Sequence, residues 1–498
     1  MEIKWSERQC LPDTRRTVIA FLTDWLSRYA NHGQSVLWLY GLAGSGKSTI
    51  AAQIANDMLN SGRLGGFFYF DRDQPERNVD GLIRTLIYKL AVSNTIPAIG
   101  ATIEEIVDGL GDIPSTPLHY QFLRLLCADA LQSIIWDGDP IVLVIDALDE
   151  CGSSEDRKSL LDALSDGLSK LPPFIRIIIA SRPEADILRV LKHHKLVLPY
   201  ELNIDTKENK DDIQKYLEVH LGRIREVWHC EATWPGADAI NILTKNSMGL
   251  MIWVETACLY LNRHLPQNYL PELLGQSTIM TTSTPFERLD NLYKTAIKSS
   301  GRWEDPSYAT ACCSMFGIIV CAQTPLSSSA IGAIMNIQIV QILSASGFGC
   351  LLQLSLTQPI RVLHPSFQDY LTMRACNEPW FIDIQKYNQE IALQCMQYLK
   401  AKLHDNISGL SLNQQHWQPW LPEALCYTCR YWIEHLIILT NPEVSVRNMI
   451  IDLLDKHLLH WIEALAYLKE HPQTIHLLNN LFHWIKVRYL TSIRLASF

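Results

Sequence analysis

Residues 36–49 read VLWLYGLAGSGKST and constrain the chain more than any other stretch. Val36–Tyr40 is a short apolar run, as a strand buried on both faces requires. Gly41-x-x-x-x-Gly46-Lys47-Ser48 follows at once and matches the phosphate-binding P-loop pattern at every fixed position. A helix is expected over 49–59, with Ile50, Ile54 and Met58 on one face. Gly41, Gly44 and Gly46 let the backbone take positive φ and approach a phosphate closely. Successive N–H groups then form an anion cradle, and the helix start adds a positive dipole end. The pattern assigns Gly41, Leu42, Ala43, Gly44, Ser45, Gly46, Lys47, Ser48 and Thr49 to nucleotide binding. Lys47 supplies charge for the β- and γ-phosphates, and the Ser48 hydroxyl is a ligand for Mg²⁺.

Further apolar runs at 65–70, 141–146, 174–180 and 196–202 read as strands, with helices expected at 17–29, 79–91 and 117–134. In open α/β sheets the carboxyl ends of the strands face the ligand. Asp146 is the first carboxylate after its strand and suits Mg²⁺. Asp149 and Glu150 come next; either can polarise an attacking water, Glu150 being the first choice. They also suit the start of a helix as favourable charges. Arg182 ends the 174–180 run, where it would sense or stabilise γ-phosphate charge; the alternative is a surface arginine in the turn before Pro183. Asp71-Arg72-Asp73 reads as a solvated loop.

With 498 residues, 48% hydrophobic and 19% charged, the chain is a multi-domain globular protein. A net charge of −9 argues against nonspecific nucleic-acid binding. The run 309–322 is too short to span a bilayer. The first ten residues are mixed and polar, and thirteen cysteines lack framework spacing. Together these lead to the expectation of reduced thiols in a cytoplasmic protein.

From about residue 203 helical periodicity takes over, with helices expected at 211–221, 237–247 and 249–262, the last packing against the nucleotide domain. A Ser/Thr-rich break at 277–284 is the expected boundary. Helices at 286–299 and 308–322, a short helix after Pro325-Leu326-Ser327 and a hairpin at 351–356 and 360–363 suggest a winged-helix module. His364 follows; its position suits either a diphosphate contact or a structural role. Cys426-x-x-Cys429 has no partner pair and shares a helical face with Leu425, Trp432 and Leu436, which indicates core packing over metal. Asn209-Lys210-Asp211-Asp212 fits a guanine-reading pattern, but Asp146-Ala147-Leu148-Asp149 lacks the Gly that a GTPase carries after its Asp.

GLAGSGKST, IVLVIDALDEC, IIIASRPE, GLMIWVETA and VLHPSFQDYL, in that order, resemble the NACHT family of STAND signalling NTPases, above all fungal NLR-like proteins. The resemblance covers about residues 10–440. It implies an ASCE-type P-loop NTPase domain with a five-stranded parallel sheet, followed by mostly α-helical domains including a winged-helix-like one. It implies that Lys47 and Ser48 are the Walker A pair, that Asp146 is the Walker B Mg²⁺ aspartate with Asp149 and Glu150 as its added acids, and that Arg182 is the sensor arginine. His364 is similar to the winged-helix histidine that contacts the β-phosphate of ADP, and Cys10-Leu11-Pro12-x-Thr14-Arg15 matches the linker ahead of the P-loop.

The expected division is 1–35 linker and entry helix, 36–203 nucleotide-binding domain, 204–280 helical domain, 281–376 winged-helix-like domain and 377–498 C-terminal helices. The expected function is a cytoplasmic ATP/ADP switch in NLR-like innate immunity or self/non-self recognition. Slow hydrolysis and homo-oligomerisation when ATP is bound belong to that expectation. Family members carry an effector domain before and sensor repeats after these modules, so effector and sensor partners are expected in trans, or the chain is a fragment. The competing readings are an AAA+-like remodelling ATPase, a nucleotide-locked scaffold and a GTPase.

Overall fold

The computed structural model describes residues 9–27, 33–72, 74, 77–93, 97–111, 116–263, 265–275, 284–339, 342–343, 347–354, 358–407 and 421–490. Most of the expected boundary at 277–284 lies outside these residues, as do residues 1–8 of the entry segment, Asp73 and the ends of the helix expected at 17–29 and of the strand expected at 351–356. The chain forms two compact units, residues 1–289 and 290–498.

The first unit is built on five parallel strands, β1 (Val36–Tyr40), β2 (Leu64–Tyr69), β3 (Ile141–Asp146), β4 (Ile175–Ser181) and β5 (Val197–Glu201). Their order is β2-β3-β4-β1-β5, so β4 separates the P-loop strand from the strand that ends in Asp146. Each apolar run serves two cores because side chains alternate between faces. Trp38, Leu143, Ile145, Ile177 and Ile179 point into one core, with α3 (Val79–Val92) and α4 (Pro97–Leu110). Leu37, Leu39, Val142, Val144, Ile178 and Ala180 point into the other, with α1 (Arg16–Ser27) and α2 (Lys47–Asn60). Parallel strands require crossover connections, and helices on both faces of the sheet meet that requirement.

Two local expectations are corrected. The segment 117–134 is not one helix: a turn at Leu118–Gln121 widens over Phe122–Leu126, breaks at extended Ala128 and restarts as Asp129–Gln132. Its break is fixed by packing on the helix Ser154–Gly167. The Phe122 ring fills the space where a Cβ on Gly167 would stand, and the Cys127 thiol donates to the Gly167 carbonyl at 3.4 Å. The second correction is α4, absent from the sequence reading although Ile99, Ile103, Ile106 and Leu110 carry helical spacing.

After β5 the first unit continues with helices Lys207–Val227, Ala237–Asn246, Met251–Arg263 and Pro266–Gly275. The Met251–Arg263 helix docks on the nucleotide-binding segment as expected, its Ile252 N–H donating to the Gly44 carbonyl at 3.1 Å. In the second unit, helices Pro306–Cys321 and Ser328–Met335 precede an antiparallel pair, Leu352–Gln353 with Arg361–Val362. Helices Ile384–Lys402, Glu423–Ile437, Val444–Tyr467 and His471–Ile485 complete it. Leu425, Cys429, Trp432 and Leu436 are buried there and all cysteines are free, so the Cys-x-x-Cys pair packs rather than bridges. No described helix is long and apolar enough to cross a membrane.

Candidate nucleotide site

The sheet delivers its polar residues to one edge. The β1 chain leaves the sheet at Tyr40 and turns through Gly44 (φ +75°) and Gly46 (φ +97°), left-handed conformations that only glycine takes without strain. Gly46 is also the N-cap of α2, and no side chain caps that end. The first amides of α2 are thus served by neither a preceding turn nor a capping side chain. Lys47 opens the helix and folds back, its ammonium donating to the carbonyls of Gly41 (3.0 Å) and Leu42 (2.9 Å). Burial pushes its pKa down to about 8, against the fields of Asp149 and Asp146, while Arg182 adds to the lowering.

The Ser48 hydroxyl donates to Asp146 Oδ1 at 3.1 Å, across 98 residues of sequence. Asp146 Oδ1 also accepts the Ala147 N–H at 2.9 Å. Ala147 itself sits at φ +56°, and this left-handed step turns the chain so that Asp149 and Glu150 leave in a short 3₁₀ turn. Asp149 then meets the end of β4: Oδ1 accepts the Arg182 N–H at 2.9 Å and Oδ2 pairs with Arg182 Nε at 3.1 Å. Glu150 makes no such pair in the described bonds. Burial first, and the Asp149 charge next, push its carboxyl up to about 8, opposed by Arg72 and Arg182.

A serine hydroxyl beside a carboxylate is the hard-oxygen set that Mg²⁺ takes alongside substrate phosphates. An uncapped helix start, a glycine cradle and a buried ammonium suit a diphosphate or triphosphate. Ser45 Oγ is buried in the same loop and finds no hydrogen-bond partner among the described residues. The residues present therefore fit a Mg²⁺–nucleotide.

Residues 20–182 match the family model described as nephrocystin 3, N-terminal. The matched segment holds β1 to β4 and the glycine loop. No curated protein matches the chain in sequence. Among solved structures, a STAND protein with a tetratricopeptide repeat sensor from Pyrococcus horikoshii aligns over 98% of this chain at 11% identity and a TM-score of 0.42. The chain spans 60% of that protein's length. A DNA polymerase III gamma subunit-related protein from Thermotoga maritima aligns over 67% of this chain and 96% of its own, at 12% identity and a TM-score of 0.24. The Drosophila ORC structure bound to DNA aligns over 90% of this chain and 71% of its own, at 11% identity and a TM-score of 0.27.

Around the glycine loop the structure adds a residue that the sequence reading left in the linker. Arg15 is buried, at φ +56°, and its guanidinium donates to the Ser45 carbonyl at 2.8 Å. Its own N–H donates to Asp212 Oδ2 at 2.9 Å. The linker and the Lys207–Val227 helix are tied again by Thr17 N–H to Glu208 and by Lys215 to the Pro12 carbonyl. Ser45 is thus gripped from outside the domain's motifs. The Asn209–Asp212 pattern is used inside this packing. The Asn209 amide donates to the carbonyls of Ile204 (2.7 Å) and Gly249 (2.9 Å), and Asp212 serves Arg15. Asp71 and Arg72 follow β2, and Asp71 accepts from the Gln74 side chain.

His364 lies in the second unit as the N-cap of the short helix Pro365–Asp369. Its Nδ1 accepts the Ser366 N–H at 3.1 Å and lies 2.6 Å from Ser366 Oγ, which reaches the Tyr293 hydroxyl at 2.8 Å. An accepting Nδ1 puts the proton of the neutral ring on Nε2.

Proposed function

We propose that this chain is an ATP/ADP-dependent switch of the NACHT/STAND class, serving NLR-like signalling in innate immunity or self/non-self recognition. The observation that carries the reading is the convergence of Lys47, Ser48, Asp146 and Arg182 on the carboxyl edge of one sheet in which β4 stands between β1 and β3. Lys47 and the amides of the glycine loop bind the phosphates. Ser48 and Asp146 hold Mg²⁺, which supplies charge neutralisation for the phosphate oxygens. Glu150 takes the proton of the attacking water, and hydrolysis is slow. His364 contacts the β-phosphate of ADP. In this reading the five-part division at 35, 203, 280 and 376 marks the modules that move, and the ATP form self-associates in the cytoplasm.

A nucleotide shifts such a switch only through its different affinities for the two states. Turning a 1:99 population into 99:1 takes about 5.5 kcal/mol of difference. The test is the nucleotide content of freshly purified protein, released by denaturation and separated by anion exchange, with Lys47→Ala as control. Near-stoichiometric ADP, lost in the variant, is the expected result. GDP in its place overturns the adenine assignment. Protein that carries no nucleotide and binds none on addition of Mg-ATP overturns the switch.

A further inference from the structure

Asp149 and Glu150 are neighbours with equal chemistry, yet the fold gives them different surroundings. Both carboxylate oxygens of Asp149 are engaged by one residue, Oδ1 by the Arg182 backbone N–H and Oδ2 by its guanidinium. The pair is enclosed: the Asp149 side chain is 5% exposed and that of Arg182 18%. The Asp149 backbone is fixed too, since its carbonyl accepts from Arg157 at 3.4 Å and Arg157 is anchored on Asp186 at 2.6 Å. Asp149 also exerts the largest field of any carboxylate on Lys47, ahead of Asp146. Its charge thus acts on the phosphate-binding cation while it holds a second cation, Arg182, directly.

We propose that Asp149 is a positioning residue that holds the Arg182 guanidinium away from the terminal phosphate, so that the Asp149–Arg182 pair sets the preference between nucleoside diphosphate and triphosphate. The proposal rests on the nucleotide-switch reading of the same site. A diphosphate can sit on Lys47 and the loop amides with the pair intact. A triphosphate brings another anion to the strand edge from which Arg182 projects. It must compete with Asp149 for the guanidinium, and it meets the repulsion of the carboxylate that Arg182 had neutralised. The backbone bond from Arg182 N–H to Oδ1 can persist through this exchange, so the rearrangement is confined to one side chain.

The test is titration calorimetry of Asp149→Asn, Arg182→Gln and the double variant with Mg-ADP and with a non-hydrolysable Mg-ATP analogue, on full-length protein stripped of nucleotide. Asparagine keeps an oxygen for the Arg182 N–H and loses the charge that holds the guanidinium. Asp149→Asn is expected to raise the ratio of triphosphate to diphosphate affinity about tenfold. Arg182→Gln is expected to lower it while leaving diphosphate affinity in place, and adding Asp149→Asn to it is expected to raise the ratio by clearly less than the same change does with Arg182 present. An equal rise with and without Arg182 overturns the proposal, because it reduces Asp149 to a repelling charge. An unchanged ratio combined with lost single-turnover hydrolysis also overturns it, because that is the signature of a base. Should Asp149→Asn not fold, Arg182→Gln alone decides: equal loss of both nucleotides refutes the proposal. Wild-type protein that binds neither nucleotide overturns the switch reading itself, which separates the two failures.

Discussion

Arg15→Ala removes a cation that joins the entry segment to the loop at the centre of the first unit. The arginine is 7% exposed, and its guanidinium donates one hydrogen bond to the Ser45 carbonyl at 2.8 Å. A hydrogen bond from a charged group contributes about 1.5–3 kcal/mol. Nε also stands 4.0 Å from Asp212 Oδ2, a buried pair whose attraction is largely offset by desolvation. Asp212 keeps the Arg15 backbone N–H, so its loss is partial. The net cost of Arg15→Ala is then about 3 kcal/mol. At roughly 2 °C per kcal/mol for a unit of this size, its melting temperature falls by about 6 °C. The left-handed backbone supplies an internal control. At φ +56° a side chain is strained by about 1 kcal/mol, so Arg15→Gly should be more stable than Arg15→Ala by that amount, the reverse of their usual order. The nucleotide site should respond as well. In a trans peptide the C=O and N–H point opposite ways. Holding the Ser45 carbonyl toward Arg15 therefore aims the Gly46 N–H away from Arg15, into the loop. Arg15→Met, which keeps the buried stem, is expected to weaken ADP binding about tenfold, measured by calorimetry beside thermal unfolding. Wild-type melting and wild-type ADP affinity in Arg15→Met would refute the reasoning.

Other consequences are equally direct. Gly44→Ala combines φ +75° with a Cβ placed 2.0 Å from Ile252 Cγ2, so urea unfolding should show a loss of about 3 kcal/mol, part of it restored by Ile252→Ala. Glu150 has its pKa raised to about 8, so single-turnover hydrolysis should climb as pH rises toward that value; Glu150→Gln should flatten the profile and slow the reaction about 100-fold. His435 is fully buried in the second unit, between the Tyr427 hydroxyl and Asn388 Oδ1, both at 2.7 Å, and burial lowers its pKa to about 3. The unfolded ring takes a proton near pH 6.5 while the folded one resists, so stability is full above 6.5 and falls toward pH 3 by up to about 1.4 kcal/mol per pH unit. Denaturant titrations at several pH values should show this slope, and it should vanish in His435→Phe.

What the sequence made legible was whatever depends on neighbours in the chain. The strands were read because a buried parallel strand needs an apolar run, and β1, β3 and the Ile177–Ala180 part of β4 have one. The loop and Asp146 were read because each stands at the end of such a run. Arg15 was not, because its partners Ser45 and Asp212 lie 30 and 197 residues away and nothing local marks it for burial. The break at Cys127–Ala128 was hidden for the same reason, since the Gly167 surface that shapes it lies 40 residues on. Asp149 and Glu150 show the limit most clearly. From sequence they are adjacent acids with interchangeable claims to one role, and no local rule ranks them. The left-handed step at Ala147 and the arrival of β4 beside β3 separate them, binding one to Arg182 and leaving the other half-buried under its neighbour's charge. The difference between a held carboxylate and one with a raised pKa is thus a property of strand order, which places Arg182 at that edge.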